Sequence, residues 1–284
     1  MNLNSVREGE LKEVFDALEE AFRKLEIDYY LIGAIARDIW YARGKKDFRK
    51  TKDVDFAVLV GNKTAYQEVR QFLKDHKNFR DTKENSFVML TPTGVLVDIL
   101  PFGEIEIDDG VSLEGAGLTN IKVNGFMEVY KAGTEEVAML TGHIFKVATL
   151  PAIVLLKLIA FDDRPEKRLK DARDIANIIS LYFDLQADLI YSEHSDVFLV
   201  SEEQLNTVSL QEIAAMVIGR EIKKVIDENE YLLERIKRIL DNHIGQGEKS
   251  AFNRNMVEET GNSVATVVGW LKFMLNGLSG LEIS

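Results

Sequence analysis

Asp53 and Asp55 stand two residues apart in TKDVDFAVLV, a segment whose other members are almost all apolar. Side chains alternate across a β-strand, so both carboxylates leave one face while Val54 and Phe56 leave the other. Like charges that close repel. A divalent cation is the usual means of keeping both ionised, and hard oxygen donors at strand spacing suit Mg²⁺ better than a softer ion. A third acid, Asp98, interrupts a second strand-like run, GVLVDILPFG, in the same manner. Three carboxylates on apolar strands make a candidate metal site; the plain alternative for the pair is a solvated strand edge or a turn.

Such a site needs elements that hold it and cations that meet a phosphate. Asp28–Gly33 reads as a strand and AIARDIWYA as a helix that follows directly. This puts Gly33 at a strand–helix turn, where a missing Cβ lets a phosphate approach the backbone and the helix N-terminus favours anions. Arg49 and Thr51 precede the acid pair in the order R-x-T-x-D-x-D, inside a basic stretch over 45–52 that holds five bases and one acid. Further on, PAIVLLKLIAF from Pro151 is a helix, apolar on nearly every face except at Lys157. An ammonium there is costly unless it meets a carboxylate or phosphate, or snorkels to the helix surface. Asp171 and Asp174 lie near the start of a helix over 169–182, where acids complement the helix dipole.

In this order, Gly33 with Ala34, RKTKDVD at 49–55, Asp98 in VDILPFG, Lys157 in LLKLIAF and KDARDI at 170–175 resemble the nucleotidyltransferase superfamily that includes DNA polymerase beta. More narrowly they resemble its AbiEii-like branch of type IV toxins. The resemblance implies an α+β fold: a mixed nucleotidyltransferase sheet flanked by helices over 1–148, then a mainly helical C-terminal domain over 149–284 that completes the site. It implies a catalytic set of Asp53, Asp55, Asp98, Lys157 and Asp174, with Mg²⁺ on the first three. Gly33, Ala34, Arg49, Thr51 and Lys157 would hold the nucleotide. The implied reaction moves a nucleoside monophosphate from an NTP to an acceptor hydroxyl, an RNA (tRNA) 3′ end as in toxin-type enzymes, with an antitoxin as partner. At Ala34 the chain departs from the family's Gly-Gly or Gly-Ser, so no hydroxyl can hold a phosphate there, although the backbone N–H still can. The same residues also fit a transferase acting on a small molecule such as an aminoglycoside, or on a protein. A catalytically inactive nucleotide-binding module is the reading that Ala34 keeps open.

The composition is that of a water-soluble globular protein, with 46% hydrophobic and 29% charged residues, and 284 residues suffice for two domains. Cysteine is absent, which excludes disulfides and thiolate zinc sites and points to a reducing cytoplasm. The N-terminus has no signal-peptide pattern and no apolar run is long enough to span a bilayer, so no membrane partner is expected. The net charge of −12 disfavours wide, nonspecific adhesion to nucleic acid. Residues 184–284 alone hold 17 acids and 9 bases, net −8.

Helical spacing predicts a first amphipathic helix over 7–26 and another over 64–75. Residues 86–91 and 94–100 flank Pro92-Thr93 as a hairpin carrying Asp98, and 104–148 reads as an irregular extension of the sheet. His143 there reads as structural. Helices are expected at 209–226, 230–242 and 263–277, with 243–250 as a mobile loop.

Overall fold

A computed structural model describes residues 5–46, 53–115, 117–139, 141–198 and 208–281. The chain divides into two compact units, Met1–Thr149 and Leu150–Ser284.

The first unit is built on a seven-stranded mixed sheet in the order β3-β4-β5-β2-β1-β9-β8. Its central strands are β1 (Asp28–Ile32), β2 (Asp53–Leu59), β5 (Leu96–Phe102) and β9 (Ile144–Ala148); β3 (Arg80–Asp81), β4 (Val88–Leu90) and β8 (Thr134–Ala138) complete it. β2 runs antiparallel to β1 and parallel to β5, so the two acid-bearing strands are neighbours. One face is closed by aromatic packing: Phe15 and Phe22 of helix α1 (Ser5–Lys24) meet Tyr29, Phe56 and Phe145 with ring centroids 4.4–6.3 Å apart. On the other face Tyr30 donates a hydrogen bond to the Phe126 carbonyl at 2.9 Å, seating helix α4 (Phe126–Ala132). Helix α2 (Gly33–Arg43) is anchored by the Trp40 indole N–H on the Ala148 carbonyl at 2.7 Å, and α3 (Lys63–Lys77) by the Tyr66 hydroxyl on the Ile99 carbonyl at 2.8 Å.

The expected hairpin forms between β4 and β5. The stretch 104–148 is more ordered than its Gly-rich spacing suggests. β8 and β9 join the main sheet, β6 (Gly110–Ser112) and β7 (Asn120–Lys122) form a separate two-stranded sheet, and α4 was not foreseen. His143 is buried between Asp16 and Thr141, with its ring stacked on Phe145, which suits a structural role.

The second unit is helical: α5 (Leu150–Asp163), α6 (Leu169–Leu185), α7 (Ala187–Glu193), α8 (Leu210–Ile226), α9 (Glu230–Gln246), α10 (Ala251–Thr260) and α11 (Val264–Ser279). α5 is buried on nearly all sides, as its continuous apolar run requires. α8 and α11 touch through backbone. A Cβ on Gly219 would overlap the Met274 carbonyl of α11, and one on Gly277 the Met216 carbonyl of α8. The loop expected over 243–250 is corrected: α9 runs to Gln246 and a single 3₁₀ turn, 247–249, leads into α10. Buried Asn253 stitches this corner by donating to the carbonyls of His243 and Gly247 at 2.8 and 2.9 Å.

Candidate active site

The register between β2 and β5 pairs Asp55 with Asp98 and Asp53 with Leu96. Partners in a parallel pair present their side chains to the same face, and residues two apart on a strand do likewise. Asp53, Asp55 and Asp98 therefore share one face of the sheet. Val54, Phe56, Val97 and Ile99 point the opposite way and are buried, whereas Asp53 is exposed and Asp55 and Asp98 are half-buried. The apolar residues fix the pleat, and the pleat aims the acids. The sheet supplies a shared face and a shared register rather than a closed ligand cage.

β1 places the next part. Ile32 is the register partner of Asp55, and the chain turns at Gly33 into α2 with φ +69. A Cβ on Gly33 would lie 2.7 Å from Asp55 Cγ and overlap the carboxylate. The freedom that glycine provides is thus already used twice, once for the left-handed backbone and once to admit Asp55. The α2 N-terminus has no side-chain cap and no acid in its first turn, so its dipole is available to favour a negative charge. Ala34 follows as the second residue of α2, half-buried. Arg49 and Thr51 lie outside the described residues, as does most of the basic stretch around them.

One turn into α2 sits a pair that the sequence reading passed over. Arg37 donates through Nε and Nη2 to Asp38 Oδ1 at 3.0 and 2.8 Å, with 7% and 2% of the two side chains exposed. Two adjacent charges within the apolar run IARDIW were the available signal, since neither is tolerated in a core without a partner. Asp98 also reaches beyond its strand. Burial pushes the Tyr66 hydroxyl up to about 12, Arg70 opposes this, and the charge of Asp98 adds to it.

In the second unit the structure joins Lys157 to both late aspartates. Its ammonium donates to Asp171 Oδ1 and Asp174 Oδ2, each at 2.7 Å. Burial pulls the Lys157 pKa down, but the two carboxylates more than offset it and the net shift is upward. Of the outcomes open to a lysine in that apolar run, pairing with acids is the one found and snorkelling is not. Asp171 and Asp174 both serve the lysine.

The donor chemistry of the sheet site fits the group that the sequence implies. Three carboxylates on one face, with no sulfur or imidazole beside them on β2 and β5, are hard oxygen donors of the type Mg²⁺ takes. A different set, Glu193, His194 and Glu221, brings ligand atoms within 4.8 Å of one another. There the Lys224 ammonium lies 2.7 Å from Glu221 and 3.1 Å from Glu193, so a cation already neutralises the pair.

A mixed sheet that carries aspartates on neighbouring strands beside a glycine turn and a helix N-terminus, followed by a helical unit, is the architecture of a nucleotidyltransferase. A family model described as "Nucleotidyl transferase AbiEii toxin, Type IV TA system" matches residues 16–242. The chain belongs to that family. No curated protein matches it. Among solved structures it is similar to the antibiotic-resistance factor ANT(2'')-Ia in solution, at 13% identity and TM-score 0.40 over 83% of this chain and 98% of that one. The crystal structure of ANT(2")-Ia with adenylyl-2"-tobramycin matches at 14% identity and TM-score 0.38, over 72% of this chain and 96% of that one. The Thermotoga maritima CCA-adding enzyme complexed with tRNA matches at 14% identity and TM-score 0.26, over 95% of this chain and 80% of that one. At these values the substrates of those proteins carry no weight for this one. Among the described residues no helix is long and apolar enough to cross a membrane.

Proposed function

We propose that this protein transfers a nucleoside monophosphate from an NTP to the 3′ hydroxyl of an RNA, tRNA being the class that the toxin family suggests. The observation that carries this reading is the shared register of Asp55 and Asp98 on the face that also bears Asp53, beside the turn at Gly33. Asp53, Asp55 and Asp98 would hold Mg²⁺, which when bound supplies the positive charge that a triphosphate and a developing alkoxide both need. The α2 N-terminus, through the backbone N–H groups at Gly33 and Ala34, receives the phosphates. Asp98, on the half-buried side of the set, takes the proton from the acceptor hydroxyl. The hydroxyl oxygen bonds to the α-phosphorus, the bond from that phosphorus to the bridging oxygen breaks, and pyrophosphate leaves with its electron pair.

Arg49 and Thr51 are assigned to the nucleotide from their place in the motif alone. Lys157 and Asp174 are assigned to the reaction by the family's late motif, as a positioning cluster, because the ammonium is bound by two carboxylates. In this reading residues 1–148 are the catalytic domain and 149–284 a supporting helical domain. In the same reading the partner is an antitoxin, which the family suggests, and the setting is the cytoplasm, which the lack of cysteine suits.

Labelled NTPs supplied with Mg²⁺ to total RNA, to a proteome extract and to aminoglycosides test the proposal. Label on RNA that is lost in Asp55→Asn supports it; label on either other acceptor alone replaces the acceptor, and label that persists in Asp55→Asn removes the site.

A further inference from the structure

The turn joining α5 to α6 concentrates cations. RPEKRLK, residues 164–170, holds four bases and one acid in a chain whose net charge is −12. Lys167, Arg168 and Lys170 are exposed and Arg164 is half-buried. Several other cations of the helical unit are neutralised. Arg173 pairs with Glu258, Arg220 with Asp196, Lys224 with Glu193 and Glu221, Arg235 with Asp162 and Asp163, and Lys237 with Glu234. In the turn, Arg168 has only the distant Asp171 Oδ2, at 3.9 Å. Arg164, Lys167 and Lys170 make no ion pair among the described residues.

Helix electrostatics sharpen the anomaly. Arg168 is the N-cap residue of α6 without a side-chain cap, and Lys170 lies in the first turn. That is the positive end of the helix, where acids stabilise and bases cost, and Asp171 is the acid in that turn. Adjacent like charges add to the cost, and a chain with acids in excess leaves them in place. A polyanion would supply the negative charge that these side chains lack.

We infer that the 164–170 turn is a phosphate-backbone contact for RNA. The inference rests on the RNA acceptor proposed above and names the part of this chain that grips it. Arg and Lys on mobile stems, without a planar acceptor or aromatic ring among them, suit contacts that position a strand rather than read its bases. A lipid surface fits less well, since Leu169, 38% exposed, is the one large apolar side chain there and the turn offers no apolar face to insert. A polycationic small molecule would be repelled.

The test is anisotropy of labelled total tRNA with the full chain and Mg²⁺, without NTP, over a salt series. The variant is R164E/K167E, which spares the KDARDI segment; the control is K249E/K272E, the same charge change at exposed lysines elsewhere. Expected for R164E/K167E is binding weakened by about tenfold or more, with the salt slope smaller by about 1.5, as two lost phosphate contacts require. The control should stay within about twofold, and both proteins should keep the NTP-dependent rise in Tm. Wild-type binding in R164E/K167E, or equal loss in the control, overturns the inference. So does a patch-dependent affinity for phosphatidylserine vesicles that exceeds affinity for tRNA. If wild-type protein binds tRNA through the patch but labels another acceptor, the proposed reaction fails and the contact stands. If RNA is labelled while R164E/K167E binds normally, the contact fails and the reaction stands.

Discussion

Gly33 and Asp55 face each other across the β1–β2 pair so closely that the carboxylate fills the volume a Cβ would take. Asp55 and the glycine turn are therefore one unit: the glycine is required by its neighbour whatever ligand the site takes.

Gly33→Ala tests that dependence. Alanine at φ +69 costs about 1–2 kcal/mol in backbone strain, and the new methyl displaces Asp55. We expect a fall in urea-melt stability of about 1–3 kcal/mol, including the overpacking term, and a loss of transfer by about 100-fold or more, since misplacement by an ångström can remove that much. A variant that loses stability but keeps turnover would show that Asp55 tolerates displacement.

Asp55→Asn and Asp98→Asn keep shape and remove charge. We expect the Mg²⁺-plus-NTP rise in Tm and the transfer reaction both to be lost. Thermal melts with and without MgCl₂ read this directly. An unchanged Mg²⁺ response in both variants would place the cation elsewhere.

Much of this arrangement was legible because it is written in periods. Alternation through DVDFAVL and LVDILPF gives strand, face and outward acid at once, and Gly33 followed by an apolar helix gives the turn. What alternation cannot give is which strands are neighbours, so the Asp55–Asp98 register appears only in the sheet. The reason for Gly33 was half read: backbone freedom was foreseen, and the carboxylate in the vacated space was not. α10 was missed because AFNRNMVEET turns Asn253 and Asn255 inward; those positions look like loop residues until their partners on α9 and α6 are known. Lys157 was singled out by its cost, but which acids offset that cost is a tertiary fact.

The Lys157 cluster predicts an asymmetry. Lys157→Met removes the cation and leaves Asp171 and Asp174 facing each other with little exposure, 10% and 22% of their side chains. Breaking a buried pair from one side costs about 3–5 kcal/mol, so we expect a marked drop in Tm that K157M/D171N/D174N largely recovers. The ammonium pKa is raised on folding. Its stabilising contribution is therefore complete below its ordinary value of 10.5 and declines as pH rises from there through the folded value. Wild-type stability should fall over that alkaline window more steeply than that of the triple variant. Equal slopes would mean that the cluster does not hold the helices together.

The contact of α8 with α11 is the place where the second unit tolerates least. Gly219 and Gly277 each sit against a carbonyl of the opposite helix, at Met274 and Met216, so the backbones approach as closely as two helices can. A carbonyl held in a helix cannot swing aside as a side chain can. Gly277→Ala must separate the helices and open gaps around buried Met216 and Met274, costing about 3 kcal/mol from overpacking. Gly245→Ala, with nothing within 4 Å of the new methyl, should by contrast hold or gain about 0.5–1 kcal/mol from helix propensity. Chemical denaturation of the two variants decides it: G277A as stable as G245A would mean that α8 and α11 are not packed through their backbones.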